Sequence, residues 1–411
     1  MKLINQYKNF FLSGFLFSSR FYGLNEQGAP HIFRIRTKSK NVAMAKASLK
    51  LHTGADGLTV ENRVRNVQRD FRLTDGWISG FSQSDGCFTI TFEKYKTGLY
   101  IRPRPIFILG QDYSEVELFK GILKYLGVGY LRKNKTNVLL EVKSLSAFKD
   151  VLFPIFDKHP LKYGKLKAYL IFKNIVEEMI NKNHLNLEGL LRIIYASHQL
   201  NVETTRRTEE SKNDLLSFLE SKHGKLPAPL WSPCNNKLQG WQATEKLEIN
   251  SLIPSSSVQE NKLPLTPEFI AGLVDGDGSF NVAFQIKPYR RVRVNFTVVQ
   301  ESSCKELLHE LKSYFSCGSV YDLPSAASRY QVENVDLILN NIKPIFDKME
   351  LNTYKAEHYN VAIKVCEIIR ARGYKTDEAL KEIVELAYNS NLSGKRRRIS
   401  KEEFLSKISG N

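Results

Sequence analysis

The chain has 411 residues, more than one compact domain ordinarily holds. Hydrophobic residues make up 42% and aromatics 11%, which excludes wholesale disorder and leaves enough apolar surface for a real core. Lys and Arg number 60 against 43 Asp and Glu, a net charge of +17 that points to a polyanionic partner, nucleic acid first among them.

Residues 1–69 stand apart as an N-terminal extension. The first 55 hold nine Lys or Arg and a single acid, Glu26, with Ser and Phe between them. Such acid-poor, basic N-termini resemble mitochondrial targeting segments, and the alternative is a leftover extension of the reading frame. The first domain is expected over 70–203. It opens with a short apolar helix ending in ISGFSQSDG (78–86), followed by two strands, an amphipathic helix (115–126), two short strands (128–133 and 138–143) and closing helices. Pro103 and Pro105 cannot donate to a ladder, so the second strand is expected to be an edge or irregular there.

Residues 204–262 read as a linker, rich in Pro, Ser, Asn and charge, with Trp231 and Trp241 implying that it packs against something. Over 263–411 the first pattern returns. GWISGFSQSDGCFTITFEKY (76–95) recurs as FIAGLVDGDGSFNVAFQIKPY (269–289), FPIFDK (153–158) as KPIFDK (343–348), and Gln111 and Lys165 as Gln300 and Lys355, all at an offset of 189 to 192 residues. In the second copy Phe280, Val282, Phe284 and Ile286 alternate with polar residues, as do Val292, Val294 and Phe296. The chain is a tandem duplication. The expected fold class is α+β: two pseudo-two-fold αββαββα repeats, each with one antiparallel sheet that carries helices on one face and is wet on the other.

Each motif helix has small residues four apart, Gly80 and Ser84 in the first and Gly272 and Gly276 in the second. That spacing lets two helices pack backbone to backbone. An acid follows in each, Asp85 and Asp277, and then Gly86 or Gly278, expected to stop the helix. A lone Asp-Gly helix end is more often a packing device than a site. Two in register across a duplication are another matter: paired about a pseudo-dyad, both carboxylates emerge together, repel, and call for a divalent cation, with Mg²⁺ suited to hard oxygen ligands. Five scattered cysteines with no CxxC pair suggest neither zinc nor disulfides, and no apolar run reaches the ~18 residues of a spanning helix, so no membrane partner is expected.

On these residues the chain resembles the two-motif LAGLIDADG homing endonucleases encoded in organellar group I introns, over about 70–205 and 262–405. IAGLVDGDG is a close match to the signature and ISGFSQSDG a divergent one; Ser82, Gln83 and Ser84 depart from it in a way that bears on how tightly the helices pack. The resemblance implies two saddle-shaped sheets on duplex DNA and paired motif helices at the interface. It also implies Asp85 and Asp277 as metal ligands and catalytic acids, with the main-chain carbonyls of Ser84 and Gly276 beside them. It places a polar residue, Gln111 or Gln300, at the end of each second strand and a lysine, Lys165 or Lys355, at the start of each late helix. Glutamine can orient a metal-bound water, and lysine can stabilise a pentacovalent phosphate. The recurring Asp157/Asp347 and Lys158/Lys348 read as structural or phosphate-facing.

Strand alternation nominates base-reading residues, since two-stranded ribbons fit the major groove. They are Thr89, Thr91, Arg102 and Arg104 in the first half, and Asn281, Gln285, Lys287, Arg291, Arg293 and Asn295 in the second. TTRRT (204–208) and GKRRRISK (394–401) could touch phosphate or simply be solvated. The expected activity is Mg²⁺- or Mn²⁺-dependent cutting of double-stranded DNA at a long asymmetric site by a monomer in the mitochondrion. A maturase that binds group I intron RNA and a silent DNA-binding relic are the competing readings; retention of both acids and both lysines argues against the relic.

Overall fold

A computed structural model of the chain describes residues 70–200, 208–227, 263–285, 290–390 and 399–409. The N-terminal extension, Trp231, Trp241, Lys287 and the basic runs over 204–207 and 394–398 lie outside these residues. Each half opens with its motif helix, α1 (Asp75–Asp85) in the first. Thr74 caps it, its hydroxyl oxygen accepting the Trp77 N–H at 3.1 Å. Such a cap contributes about 1 kcal/mol. Strands β1 (Gly86–Lys94) and β2 (Ile101–Asp112) follow, then α2 (Val116–Leu126), β3 (Tyr130–Lys133) and β4 (Asn137–Val142), in the antiparallel order β1-β2-β4-β3. Short helical segments between Leu145 and Lys158 lead to α3 (Tyr163–Ile180) and α4 (Leu187–Ser197).

Pro103 and Pro105 sit where β2 is hydrogen-bonded only to β1, because β4 pairs with it from Phe107 onward. The strand is continuous and is an edge just where its missing N–H groups would have mattered.

The stretch expected as a linker contains a helix, α5 (Glu209–His223). Its Leu219 is fully buried in a small cluster with Leu190, Leu191 and Ile194 of α4, so this part of the linker belongs to the body of the first half.

The second half repeats the order as α6 (Pro267–Asp277), β5 (Gly278–Gln285), β6 (Arg291–Glu301), α7 (Lys305–Phe315), β7 (Ser319–Leu323), β8 (Ala327–Val332), α8 (Lys355–Arg372), α9 (Asp377–Ser390) and α10 (Lys401–Ser409). Its sheet runs β5-β6-β8-β7. The cores are duplicated too. Phe88 packs among Phe107, Phe156 and Tyr169 with ring centroids 5.1 to 5.8 Å away, and Phe280 among Phe296, Phe346 and Tyr359 at 4.8 to 5.7 Å. The buried tyrosines explain one recurring pair: Tyr169 donates to Asp157 and Tyr359 to Asp347, each at 2.7 Å, so these acids serve the core. Among the described residues no helix is long and apolar enough to cross a membrane.

Candidate active site

At Gly80 and Gly272 the two motif helices meet backbone to backbone. A β-carbon on Gly80 would stand 1.9 Å from the Phe269 carbonyl oxygen, and one on Gly272 would stand 2.1 Å from that of Trp77. One turn on, a β-carbon at Gly276 would come within 2.2 Å of Ser84 Cβ, and Ser84 Oγ donates to the Leu273 carbonyl at 2.9 Å. The divergent first motif therefore packs tightly. The glycines after the acids end the helices as expected, Gly86 after Asp85 and Gly278 after Asp277. Gly86 and Gly278 are extended, at φ −76° and −79°, rather than left-handed. They are small because a β-carbon at Gly86 would meet the Ser82 carbonyl at 2.3 Å, and one at Gly278 that of Val274 at 2.7 Å.

This packing delivers Asp85 and Asp277, both half-buried, to the same end of the pair. Asp85 Oδ2 lies 2.9 Å from where a β-carbon of Gly276 would be. Gln111 Nε2 donates to Asp85 at 2.6 Å and Gln300 Nε2 to Asp277 at 2.5 Å, so the strand-end amides hold the carboxylates themselves. Lys165 Nζ donates to the Gly86 carbonyl at 2.7 Å, while Lys355 Nζ donates to the carbonyls of Val274, at 3.2 Å, and Gly276. Both lysines thus sit at the C-terminal ends of the motif helices, where unpaired carbonyls attract cations.

Burial pushes the Asp85 carboxyl well above its ordinary value, and the Asp277 charge adds to this, against the pull of Lys355, Gln111 and Lys165. Burial likewise raises Asp277, opposed by Lys355, Lys165, Ser84 and Gln300. The Lys355 ammonium is pushed below its usual range by burial, in spite of Asp85, Asp277 and Asp275. A carboxylate pair in this state is short of positive charge. Among the described residues no cluster of three or more His, Cys, Asp or Glu could hold a metal. An ion here would rest on two carboxylates, main-chain carbonyls and water, a donor set that suits Mg²⁺. The Gly276 carbonyl, one of the expected ligands, already accepts a cationic donor.

Two residues escaped the sequence reading. Asp275, fully buried, accepts from Trp77 Nε1 (2.9 Å), the main-chain N–H groups of Asn352 and Thr353 (2.9 Å each) and Thr353 Oγ1 (2.6 Å). Its counterpart Gln83 accepts from the Lys162 N–H at 2.8 Å. Each therefore ties its motif helix to the turn just before the late helix that carries Lys355 or Lys165.

Of the nominated base readers, Thr89, Thr91, Arg102 and Arg104 lie on the face of the first sheet away from the core, in the register Thr89↔Ile106, Thr91↔Arg104 and Glu93↔Arg102. Arg102 is exposed. Arg104 is engaged by Glu93 (2.9 Å) and the Tyr95 hydroxyl (2.9 Å). On the second sheet Asn281 pairs with Asn295, and Gln285 with Arg291; Arg291 and Arg293 are exposed. The same faces extend onto strands that the sequence reading left unused. Glu141 on β4 binds Arg132 (2.7 Å), Lys143 (2.8 Å) and the Tyr130 hydroxyl (2.7 Å), and Arg329 and Gln331 occupy β8. Burial works against the Glu141 charge, yet its partners hold the carboxyl below the ordinary range.

A family model described as LAGLIDADG endonuclease matches residues 78–176 and 270–366, one stretch in each half. Probable intron-encoded DNA endonuclease 1 of Mycosarcoma maydis is 34% identical over 291 residues, covering 71% of this chain and 98% of that protein. Probable intron-encoded endonuclease 2 of Neurospora crassa is 25% identical, over 76% of this chain and 64% of its own length. Among solved structures, the I-SmaMI LAGLIDADG homing endonuclease bound to cleaved DNA is similar with a TM-score of 0.61 at 25% identity, over 77% of this chain and 97% of that one. The family match in both copies of the repeat, and a relative spanned almost end to end, agree with the paired glycine-packed helices and twin sheets: this chain belongs to the LAGLIDADG homing endonucleases.

Proposed function

We infer that this endonuclease hydrolyses one phosphodiester on each strand of a long, asymmetric DNA site with the help of divalent cations. The observation that carries the reading is the delivery of Asp85 and Asp277 to one end of a helix pair flanked by two four-stranded sheets. A divalent ion, Mg²⁺ or Mn²⁺, held by these carboxylates with the carbonyls of Ser84 and Gly276, would supply Lewis acidity at the scissile phosphate. Gln111 and Gln300 fix the carboxylate orientations. Lys165 and Lys355, beside the acids, offset the negative charge that builds on the phosphate as it becomes pentacovalent. Because the halves differ in sequence, the two half-sites differ as well. One chain supplies both halves, so the enzyme acts as a monomer. The intron-encoded relatives favour an organellar, mitochondrial setting.

The test incubates purified protein and Mg²⁺ with DNA carrying the intron-free insertion site, and with the same DNA interrupted by the intron. Cutting of the first alone is expected. A protein that cuts neither but promotes splicing of its intron RNA would overturn the endonuclease reading in favour of a maturase.

A further inference from the structure

The two sheets are copies in topology and register but not in chemistry, and the difference is concentrated next to the acids. Matched rows can be compared directly. In the first sheet Cys87 pairs with Ile108 and Thr89 with Ile106; the same rows of the second sheet hold Ser279 with Thr297 and Asn281 with Asn295. Across from β2, Leu139 pairs with Gly110, and its side chain lies 2.7 Å from where a Gly110 β-carbon would be. Arg329 takes the matching place on β8, opposite Val299. Phe107, Leu109, Leu140 and Val142 enter the core, so Ile106, Ile108 and Leu139, which alternate with them, lie on the opposite face. Ile108 is only 7% exposed, and Ile106 and Leu139 offer the more accessible methyl groups.

Further from the acids both faces carry arginines in matched places, Arg104 with Arg293 and Arg102 with Arg291. The inner rows of the second sheet also carry unmet polar capacity: Asn295 Oδ1 and Arg329 Nε are buried without a hydrogen-bond partner. Among the described residues of the first face, only Asn137 Oδ1 at the start of β4 is in that condition.

In the major groove, amides and guanidinium groups read adenine and guanine edges, whereas apolar side chains read the thymine methyl. We propose that the first half reads the inner base pairs of its half-site through thymine 5-methyl groups packed on Ile106 and Leu139, while the second half reads the matching positions by hydrogen bonds from Asn281, Asn295 and Arg329. This rests on the endonuclease reading and names the substrate preference of each half. The cleaved site is then chemically lopsided, with thymines on one side of the cut and hydrogen-bonded purines on the other.

The experiment selects tight-binding duplexes from a random library with full-length protein and Ca²⁺, then replaces each thymine of the selected site by uracil, which removes only the methyl. The Arg293→Ala variant, selected in parallel, relaxes preference in the second half-site and so identifies which half is which. Loss of one packed methyl should weaken binding about fourfold at inner thymines of the first half-site and leave the second half-site unchanged. The Ile106→Asn/Leu139→Arg double variant should lose this sensitivity to uracil. Equal sensitivity on both sides, none on the first, or sensitivity that persists in the double variant would overturn the proposal while leaving the endonuclease reading intact. Failure to enrich any duplex would remove both.

Discussion

The indole N–H of Trp77, in the first half, donates to the buried carboxylate of Asp275, in the second, at 2.9 Å. The bond runs between the motif helices, and the same carboxylate receives the main chain ahead of Lys355. Replacing Asp275 by Ala strands four donors, and each buried unsatisfied group costs about 1–3 kcal/mol. Gln83→Ala strands chiefly the Lys162 N–H. We expect losses in chemical denaturation of about 4 kcal/mol for Asp275→Ala and about 1–2 kcal/mol for Gln83→Ala, with Asp275→Asn between them. A larger loss from Gln83→Ala would show that the two positions do not share this role.

The helix contact makes its own demand. At Gly80 and Gly272 the neighbours within 3.0 Å of an added β-carbon are main-chain atoms of the partner helix, which cannot rotate away. Gly80→Ala and Gly272→Ala should each cost about 3 kcal/mol, although alanine is the better helix former. If circular dichroism melts showed either variant as stable as the parent, the backbones would not be in contact.

The helix at Glu209–His223 shows where reading the sequence fell short, and it can be tested. Its Glu- and Lys-rich stretch sits among Pro, Ser and Asn, and only Leu215, Leu216, Phe218 and Leu219 mark an apolar side, so composition pointed to a linker. Leu219→Ala should cost about 2–4 kcal/mol if the helix is docked as described, and nothing if it is a tether. Urea denaturation decides between them.

The rest of the legible and illegible parts divides along the same line. Period-two alternation and the fixed offset between copies revealed both sheets, the motif helices and the pairing of Asp85 with Asp277, because those signals are local or repeated. Asp275 was passed over because its partners, Asn352 and Thr353, are 77 and 78 residues away in loops with no pattern. Gly86 ends its helix as read, but its contact with the Ser82 carbonyl was not legible, because a helix-ending glycine and a glycine pressed on a carbonyl look alike in sequence. Ile106 and Ile108 were absent from the nominated readers because an apolar residue on the wet face of a strand is indistinguishable from a core residue until the register is known.

The acid pair links pH to metal. Asp85 and Asp277 hold their protons more tightly in the folded, metal-free protein than in the unfolded chain. Such groups contribute fully to stability below the unfolded value near 4, and the contribution is lost as pH rises through the raised folded values. Metal-free protein should therefore lose this part of its stability between about pH 4 and neutral, and a divalent cation should restore it by binding the ionised pair. Melts with EDTA or Mg²⁺ should show a larger Mg²⁺-induced rise in Tm at pH 8 than at pH 5.5. The reverse order would mean that the ion binds elsewhere.

Asp85→Asn and Asp277→Asn separate chemistry from binding. The amide preserves the shape that Gln111 or Gln300 now holds, and it removes one negative charge from a face that must meet phosphate. Duplex affinity should therefore stay level or rise slightly. Cleavage depends on what the charge does: with one carboxylate gone, the site has half its anionic ligands for a cation, and Lys355 loses one of the acids that favour its charge. A loss of about 4 kcal/mol of transition-state stabilisation corresponds to roughly a 10³-fold slower cut, and we expect at least that from either substitution. Because the acids flank a single helix contact, each substitution should slow cutting of both strands. A supercoiled plasmid bearing the site reports this directly, since nicked and linear products separate on a gel. Normal linearisation by either single variant would show that its acid is not needed.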